Sequence, residues 1–290
     1  MTPCLGGGPA CKEGCQMRTK LKIPDIKALR LFDSCVTLGR VVSSGLPECL
    51  TRDNILDVMD KYDIAEALVH HYDARMIYPR SVGNNLLLKE IAGIPRLHPV
   101  WTIEPPPSTD PKAARAMVEE MLAAGVRVAR LMMGAAPPLH WMWKDLCEAL
   151  EERRVPCLLD FAPTGYSYPW GSTVANPGDL IIDQLRTICL AHPSLPMILS
   201  HVSGGLGIAC SILPLIRSVP NLHLDITGII DYWRTAVADL GPERVFFATG
   251  MPFYEPATFI SNVQYAREID DDAKLKICGG NLRRLLEDVG

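Results

Sequence analysis

Residues 98–132 read HPVWTIEPPPSTDPKAARAMVEEMLAAGVRVARLM, and they hold one complete strand–helix–strand unit. His98–Ile103 is a short apolar run with β-branched and aromatic members. Asp110 followed by Pro111 marks a helix start, because the carboxylate caps first-turn N–H groups and proline there loses no hydrogen bond. KAARAMVEEMLAA spaces its apolar residues three and four apart, and Gly125 stops the helix before a second β-rich run, Val126–Met132. Two strands joined by a helix run parallel, since the crossover returns the chain to the same end of the sheet.

The alternation continues on both sides of this unit. Strands are predicted at Ala28–Ser34, Glu66–His71, Val155–Phe161, Met197–His201, Leu222–Thr227 and Arg244–Thr249. Helices are predicted at Thr51–Tyr62, Ser81–Ala92, Trp141–Arg153, Asp179–Ala191, Gly207–Val219 and Asp231–Leu240, the first capped by Thr51. Two further helices, Pro256–Glu268 and Asp271–Cys278, precede a closing GGNLRRLLEDV. Eight strands in alternation with helices specify an α/β fold of the (β/α)8, or TIM-barrel, type. A doubly wound open sheet typically carries fewer strands and a glycine-rich first turn, and neither GxGxxG nor a Walker loop occurs. The chain divides into a flexible N-terminal tail, 1–27, and one barrel domain, 28–290.

Composition narrows the function classes. A hydrophobic fraction of 48% supports a large core, and a net charge of -4 with both signs interspersed offers no basic patch, so no nucleic-acid partner is expected. No run approaches the length of a membrane span, and the first 25 residues lack the apolar block of a secretory signal, so a cytoplasmic protein without a membrane partner is expected. Of ten cysteines, most sit in apolar segments such as PCLLDF, RTICLAH and GIACSIL, where a thiol behaves as a small hydrophobe. Cys4, Cys11 and Cys15 lie in the glycine-containing start, at spacings that match no zinc pattern.

Four strand ends carry further information: LFDSCVT (Leu31–Thr37), PCLLD (Pro156–Asp160), ILSHVSGG (Ile198–Gly205) and VFFATGMP (Val245–Pro252). In order and spacing they resemble the strand-end motifs of the amidohydrolase superfamily, D-x-H-x-H, two later strands each ending in His, and G-T-D-x-P. The segment GNNLLLKEIAGIPRLHPVW and the closing GGN are similar to family pieces as well. Cys35 and Thr37 stand where the first two histidines would be, Asp160 where the third would be, and Gly250 where the catalytic aspartate would be; His201 is retained. The resemblance implies a barrel in which a histidine-held divalent metal lowers the pKa of its bound water and the strand-eight aspartate takes the proton. The replacements remove most of those donors, so no metal and no other cofactor is expected here.

In a barrel of this type the carboxyl ends of the strands face the pocket. His201 is the candidate general acid or base, with Asp160 on the preceding strand orienting it or holding a proton. Cys35, Thr37, Asp225 and Thr249 lie at other strand ends and are candidate substrate contacts. Adjacent His70 and His71 point to opposite faces, so only one enters the barrel, and His71 is taken as the substrate contact. Arg130 offers a bidentate partner for a carboxylate. Tyr166 and Trp170, in the long aromatic loop FAPTGYSYPWGSTVANPG, are candidates for an apolar wall. His98, His192 and His223 are read as structural. The expected activity is that of a metal-independent hydrolase or isomerase, such as a lactonase, acting on a small organic acid or lactone, as in some relatives with this fold. Two alternatives stand beside it: a non-catalytic protein binding a metabolite or partner, and a metal-dependent hydrolase using Cys35, Asp160, His201 and Asp225. The resemblance also makes a homodimer the candidate assembly.

Overall fold

The structure is a computed structural model that describes residues 25–43, 46–107, 110–132, 139–160, 178–200, 206–227, 229–230 and 232–290. Its strands are β1 (Leu31–Ser43), β2 (Leu46–Leu50), β3 (Ile64–His71), β4 (Leu97–Ile103), β5 (Val128–Leu131), β6 (Cys157–Asp160), β7 (Met197–Ser200), β8 (Leu222–Asp225) and β9 (Val245–Phe246). They lie in the order β2-β1-β3-β4-β5-β6-β7-β8-β9. Every neighbouring pair is parallel except β1 with β2.

Backbone bonds join β1 to the segment that follows β9: Ser34 N–H to Phe247 O at 3.0 Å, Gly250 N–H to Cys35 O at 3.1 Å and Thr37 N–H to Met251 O at 2.9 Å. Eight parallel strands therefore curl until their edges meet, which is the TIM barrel. The helices between them, Arg52–Lys61, Ser81–Glu90, Pro111–Ala123, His140–Glu152, Gly178–Ala191, Leu206–Ser218 and Trp233–Leu240, fall on the predicted segments. Thr51 and Asp110 cap their helices as the sequence indicates, each accepting from a first-turn N–H.

Alternation along each strand sorts side chains into two apolar clusters. Phe32, Leu68, Val100, Val128, Leu158, Ile198 and Phe246 point inward and pack with Leu282 as a floor inside the barrel. Val36, Val69, Ala129, Leu131, Leu159, Leu199 and Leu224 point outward and join the larger core beneath the helices. Leu282 belongs to the last helix, Asn281–Glu287, which plugs the amino-terminal mouth. There Glu66 accepts from Arg283 Nε at 2.8 Å and lies 3.0 Å from His98 Nε2. Arg283 also stacks over Phe32.

The chain departs from expectation in three places. A helical turn, Ile26–Leu29, stands where the first strand was expected to begin, and it ends at Arg30 in the left-handed region (φ 47°). β1 runs on to Ser43 and forms an antiparallel hairpin with β2, an element the sequence reading left out. A short helix, Tyr72–Met76, leaves β3 directly, and its first turn is capped by the His71 side chain rather than by Ser, Thr, Asp or Asn. Among the described residues no helix is long and apolar enough to cross a membrane. Cys147, Cys157, Cys189 and Cys278 are buried free thiols, and Cys35 is buried as well. Burial pushes Cys189 and Cys278 up to about 12, which keeps them protonated and unreactive.

Candidate functional site

One step along each strand from the apolar floor, the inward positions turn polar. Ser34, His70, Thr102, Arg130, Ser200 and Asp225 occupy them, and all six are buried. Their strands set them side by side: Thr102 is in register with Arg130 across β4 and β5, and Thr37 with His70 across β1 and β3. A layer of hydroxyls, an imidazole, a guanidinium and a carboxylate at the carboxyl ends of the strands is where this fold places its chemistry.

The best-defined part of the layer is built on His70. Thr37 Oγ1 lies 2.9 Å from His70 Nε2, and Arg130 Nη1 bonds to the same nitrogen. A guanidinium can only donate, so Nε2 must accept, which makes His70 a neutral imidazole carrying its proton on Nδ1. The Thr37 hydroxyl, as the second donor, shares that nitrogen's single lone pair. Arg130 is fully buried, and His70 fixes the direction of its planar fork.

A second unit ties β1 to the end of β9. Asp33 Oδ1 accepts from Cys35 N–H and Thr249 N–H, each at 3.0 Å, while Oδ2 accepts from the Thr249 hydroxyl. β1 carries an irregularity between Asp33 and Val36, which lets this outward carboxylate reach across the seam. Asp225 Oδ1 accepts from Thr227 N–H at 2.9 Å and so shapes the turn after β8. Among the described residues the buried hydroxyls of Ser34, Thr102, Ser200 and Thr227 meet no hydrogen-bond partner.

Arg130 and Asp225 lie at the carboxyl ends of β5 and β8, Cys35 and Thr37 lie within β1, and Thr249 follows β9, with the backbone N–H groups of Cys35 and Thr249 held by the Asp33 carboxylate. His71 is placed elsewhere. Its Nδ1 accepts from Asp73 N–H at 3.1 Å, its Nε2 stands 3.7 Å from Glu90 Oε1, and its ring lies so close to Gly39 that a Cβ there would stand 2.9 Å from Cε1. It therefore faces the helix layer, and His70 is the member of the pair that enters the barrel. The only sequence signal was period-two alternation, and ALVHH gives it no phase because both faces of this strand are buried. His201, Tyr166 and Trp170 lie outside the described residues, as does the side chain of Asp160. The backbone places Asp160 in register with Ser200, the residue before His201.

The other histidines have structural surroundings. His98 pairs with Glu66, His192 Nδ1 lies 3.3 Å from Glu151, and His223 meets Phe246 edge-on at 5.5 Å inside the floor. Arg80, at the rim, is spent on Glu104 at 3.2 Å and on Arg75 O at 2.7 Å.

An α/β barrel with a closed apolar floor and a polar layer at its strand ends defines a class of fold that hosts many unrelated functions. Within that class the amidohydrolase family model matches residues 53–287, and the chain belongs to that family. No protein of curated function matches the sequence. Several solved structures share the fold. A 2,6-dihydroxybenzoate decarboxylase from Rhizobium is 18% identical with a TM-score of 0.65, over 89% of this chain and 98% of that one. A 5-carboxyvanillate decarboxylase from Sphingomonas paucimobilis is 16% identical with a TM-score of 0.64, over 90% and 100%. A dihydroxybenzoic acid decarboxylase from Polaromonas sp. JS666, solved with manganese and 2-nitroresorcinol, is 17% identical with a TM-score of 0.67, over 89% and 96%.

At Thr37 and Gly250 the described residues offer no donor to the metal that the family implies. Thr37, at a histidine position, spends its hydroxyl on His70, and the nitrogen it meets already holds the Arg130 guanidinium. A fixed cation in that layer repels a second one. Among the described residues no group of three His, Cys, Asp or Glu side chains is arranged to hold an ion. At Gly250 a Cβ would stand 2.8 Å from Tyr254 Cδ2 and closer still to the Thr227 methyl, so the place of the family's aspartate is filled.

Proposed function

We propose that this family member is a hydrolase or isomerase that acts on a small organic acid or lactone without a tightly bound metal, with His201 and Asp160 as its proton-handling pair. The observation that carries the reading is the buried Arg130 fixed on neutral His70, which supplies permanent positive charge in the layer where the family's metal chemistry resides. A guanidinium stabilises a carboxylate or a developing oxyanion by charge and hydrogen bonding together. In lactone opening, His201 takes a proton from water as its oxygen attacks the carbonyl carbon; the ring C–O bond then breaks and the departing alkoxide takes that proton back from the imidazolium, which leaves His201 neutral. Asp160 orients the imidazole from the adjacent strand, and Cys35, Thr249 and Asp225 shape the pocket around the substrate. Tyr166 and Trp170 supply an apolar wall.

The similarly folded decarboxylases are named for aromatic acids, so hydroxybenzoates belong in the substrate screen beside aliphatic acids and lactones. A second reading, a barrel that binds without turnover, draws on Gly250 and on Asp225, whose Oδ1 is spent on loop backbone. The test is turnover by chelator-treated protein, wild type and His201→Ala. Activity that survives chelation and falls at least 100-fold in the variant is expected for a positioned acid–base group, on the order of magnitude such groups contribute. Activity lost with a stoichiometric ion sinks the proposal in favour of the substituted metal site, and binding without turnover favours the second reading.

A further inference from the structure

Gly250 follows β9 at the pocket end of the barrel, donates its N–H to Cys35 O at 3.1 Å and has φ 66°. Phe253 N–H returns to Gly250 O at 3.0 Å, and this turn brings Tyr254 back over the glycine. The Tyr254 ring, half-buried, stands edge-on to Phe259 at 5.7 Å. On the other side Thr227 is fully buried and held through its N–H by Asp225, with its methyl turned toward Gly250. The volume into which a side chain at 250 would project is thus occupied by an aromatic edge and a methyl group from two other segments.

We infer that Tyr254, supported by Thr227, is the residue that sets the size and polarity of this end of the pocket. A ligand group entering between β8, β9 and β1 meets an apolar edge where the family presents a carboxylate. Position 250 cannot take a proton acceptor or metal ligand by substitution of that residue alone, because Thr227 and Tyr254 fill the volume its side chain would need. The inference rests on the reading that the strand ends form the ligand pocket, but its test needs no substrate.

A side chain grafted at 250 is a tethered probe of the disputed volume. Gly250→Asp and Gly250→Ala are made in three backgrounds: wild type, Tyr254→Phe, and Tyr254→Ala with Thr227→Ser. Each is compared with its own background by thermal unfolding. In the wild-type and Tyr254→Phe backgrounds the expected fall in Tm is roughly 10 °C or more, as for a severe steric clash in a chain of this size. In the Tyr254→Ala, Thr227→Ser background more than half of that fall is recovered, and the few degrees that remain belong to the left-handed backbone. If Gly250→Asp yields no folded protein, the smaller Ala makes the same comparison. A Gly250→Asp protein as stable as wild type, or an equal loss in all three backgrounds, overturns the inference. Failure of every substrate in the turnover screen leaves these shifts unchanged, so the two readings fail separately.

Discussion

Asp33 carries more of the site than its distance from any substrate suggests, because one buried carboxylate holds Cys35 N–H, Thr249 N–H and the Thr249 hydroxyl across the seam of the barrel. Asp33→Ala leaves two buried N–H groups without that acceptor and is expected to lower stability by roughly 3 kcal/mol in urea unfolding. Asp33→Asn keeps one acceptor oxygen and should cost less. An Asp33→Ala protein of wild-type stability would show that the seam is held by other means. The His70–Arg130 pair calls for a double-mutant cycle, since each residue shapes the other's hydrogen bonding. His70→Phe and Arg130→Met should be non-additive by about 1–2 kcal/mol; additive losses would mean that the pair is not coupled.

The last helix acts as a plug, with Leu282 in the floor and Arg283 on Glu66, and the ionisable groups beneath the barrel give it a pH signature. The hydrogen bond from His98, helped by Arg283, holds Glu66 down at about 2 against the opposing effect of burial. A carboxylate depressed on folding contributes fully above the ordinary value of 4.5, and the contribution is lost as pH falls toward 2. Burial, reinforced by Arg244 and Arg284, brings His223 down from 6.5 to about 4. Its neutral form is favoured in the fold, so its contribution is complete above 6.5 and is lost as pH falls toward 4. Urea midpoints followed from pH 7 downward should therefore begin to fall near 6.5. His223→Gln should flatten the upper part of that fall, and Glu66→Gln the part below 4.5. Unchanged profiles in both variants would place the acid sensitivity elsewhere.

At this scale the sequence was readable where local rules are strong. Asp110–Pro111 and Gly125 bound their helix because capping chemistry is local. The β1–β2 hairpin was not legible, because the second half of GRVVSSGLPECL carries Gly, Pro and Glu, which are poor strand formers, and only pairing with the adjacent Gly39–Ser43 makes a strand of it. Nor was the capping role of His71, which depends on the chain turning into a helix immediately after β3.

For the molecule as a whole, eight alternating strand and helix patterns made the barrel legible, and the usual placement of pockets in such barrels made candidates of Cys35, Thr37, Arg130, Asp225 and Thr249. What those side chains do there was not legible. The choice of Asp33 as seam staple, of His70 rather than His71 as the inward histidine, and of Tyr254 as occupant of the space beside Gly250 depends on residues brought together from distant strands. The proposed function rests on one exchange of physical roles, a protein-borne guanidinium, fixed on a neutral histidine, in place of a coordinated ion. Anomalous diffraction from crystals grown in millimolar manganese tests it most directly. The expected result is no ordered ion at the strand ends, with the Arg130 guanidinium still bonded to His70 Nε2. A fully occupied manganese coordinated by His201, with Arg130 displaced from His70, would contradict it.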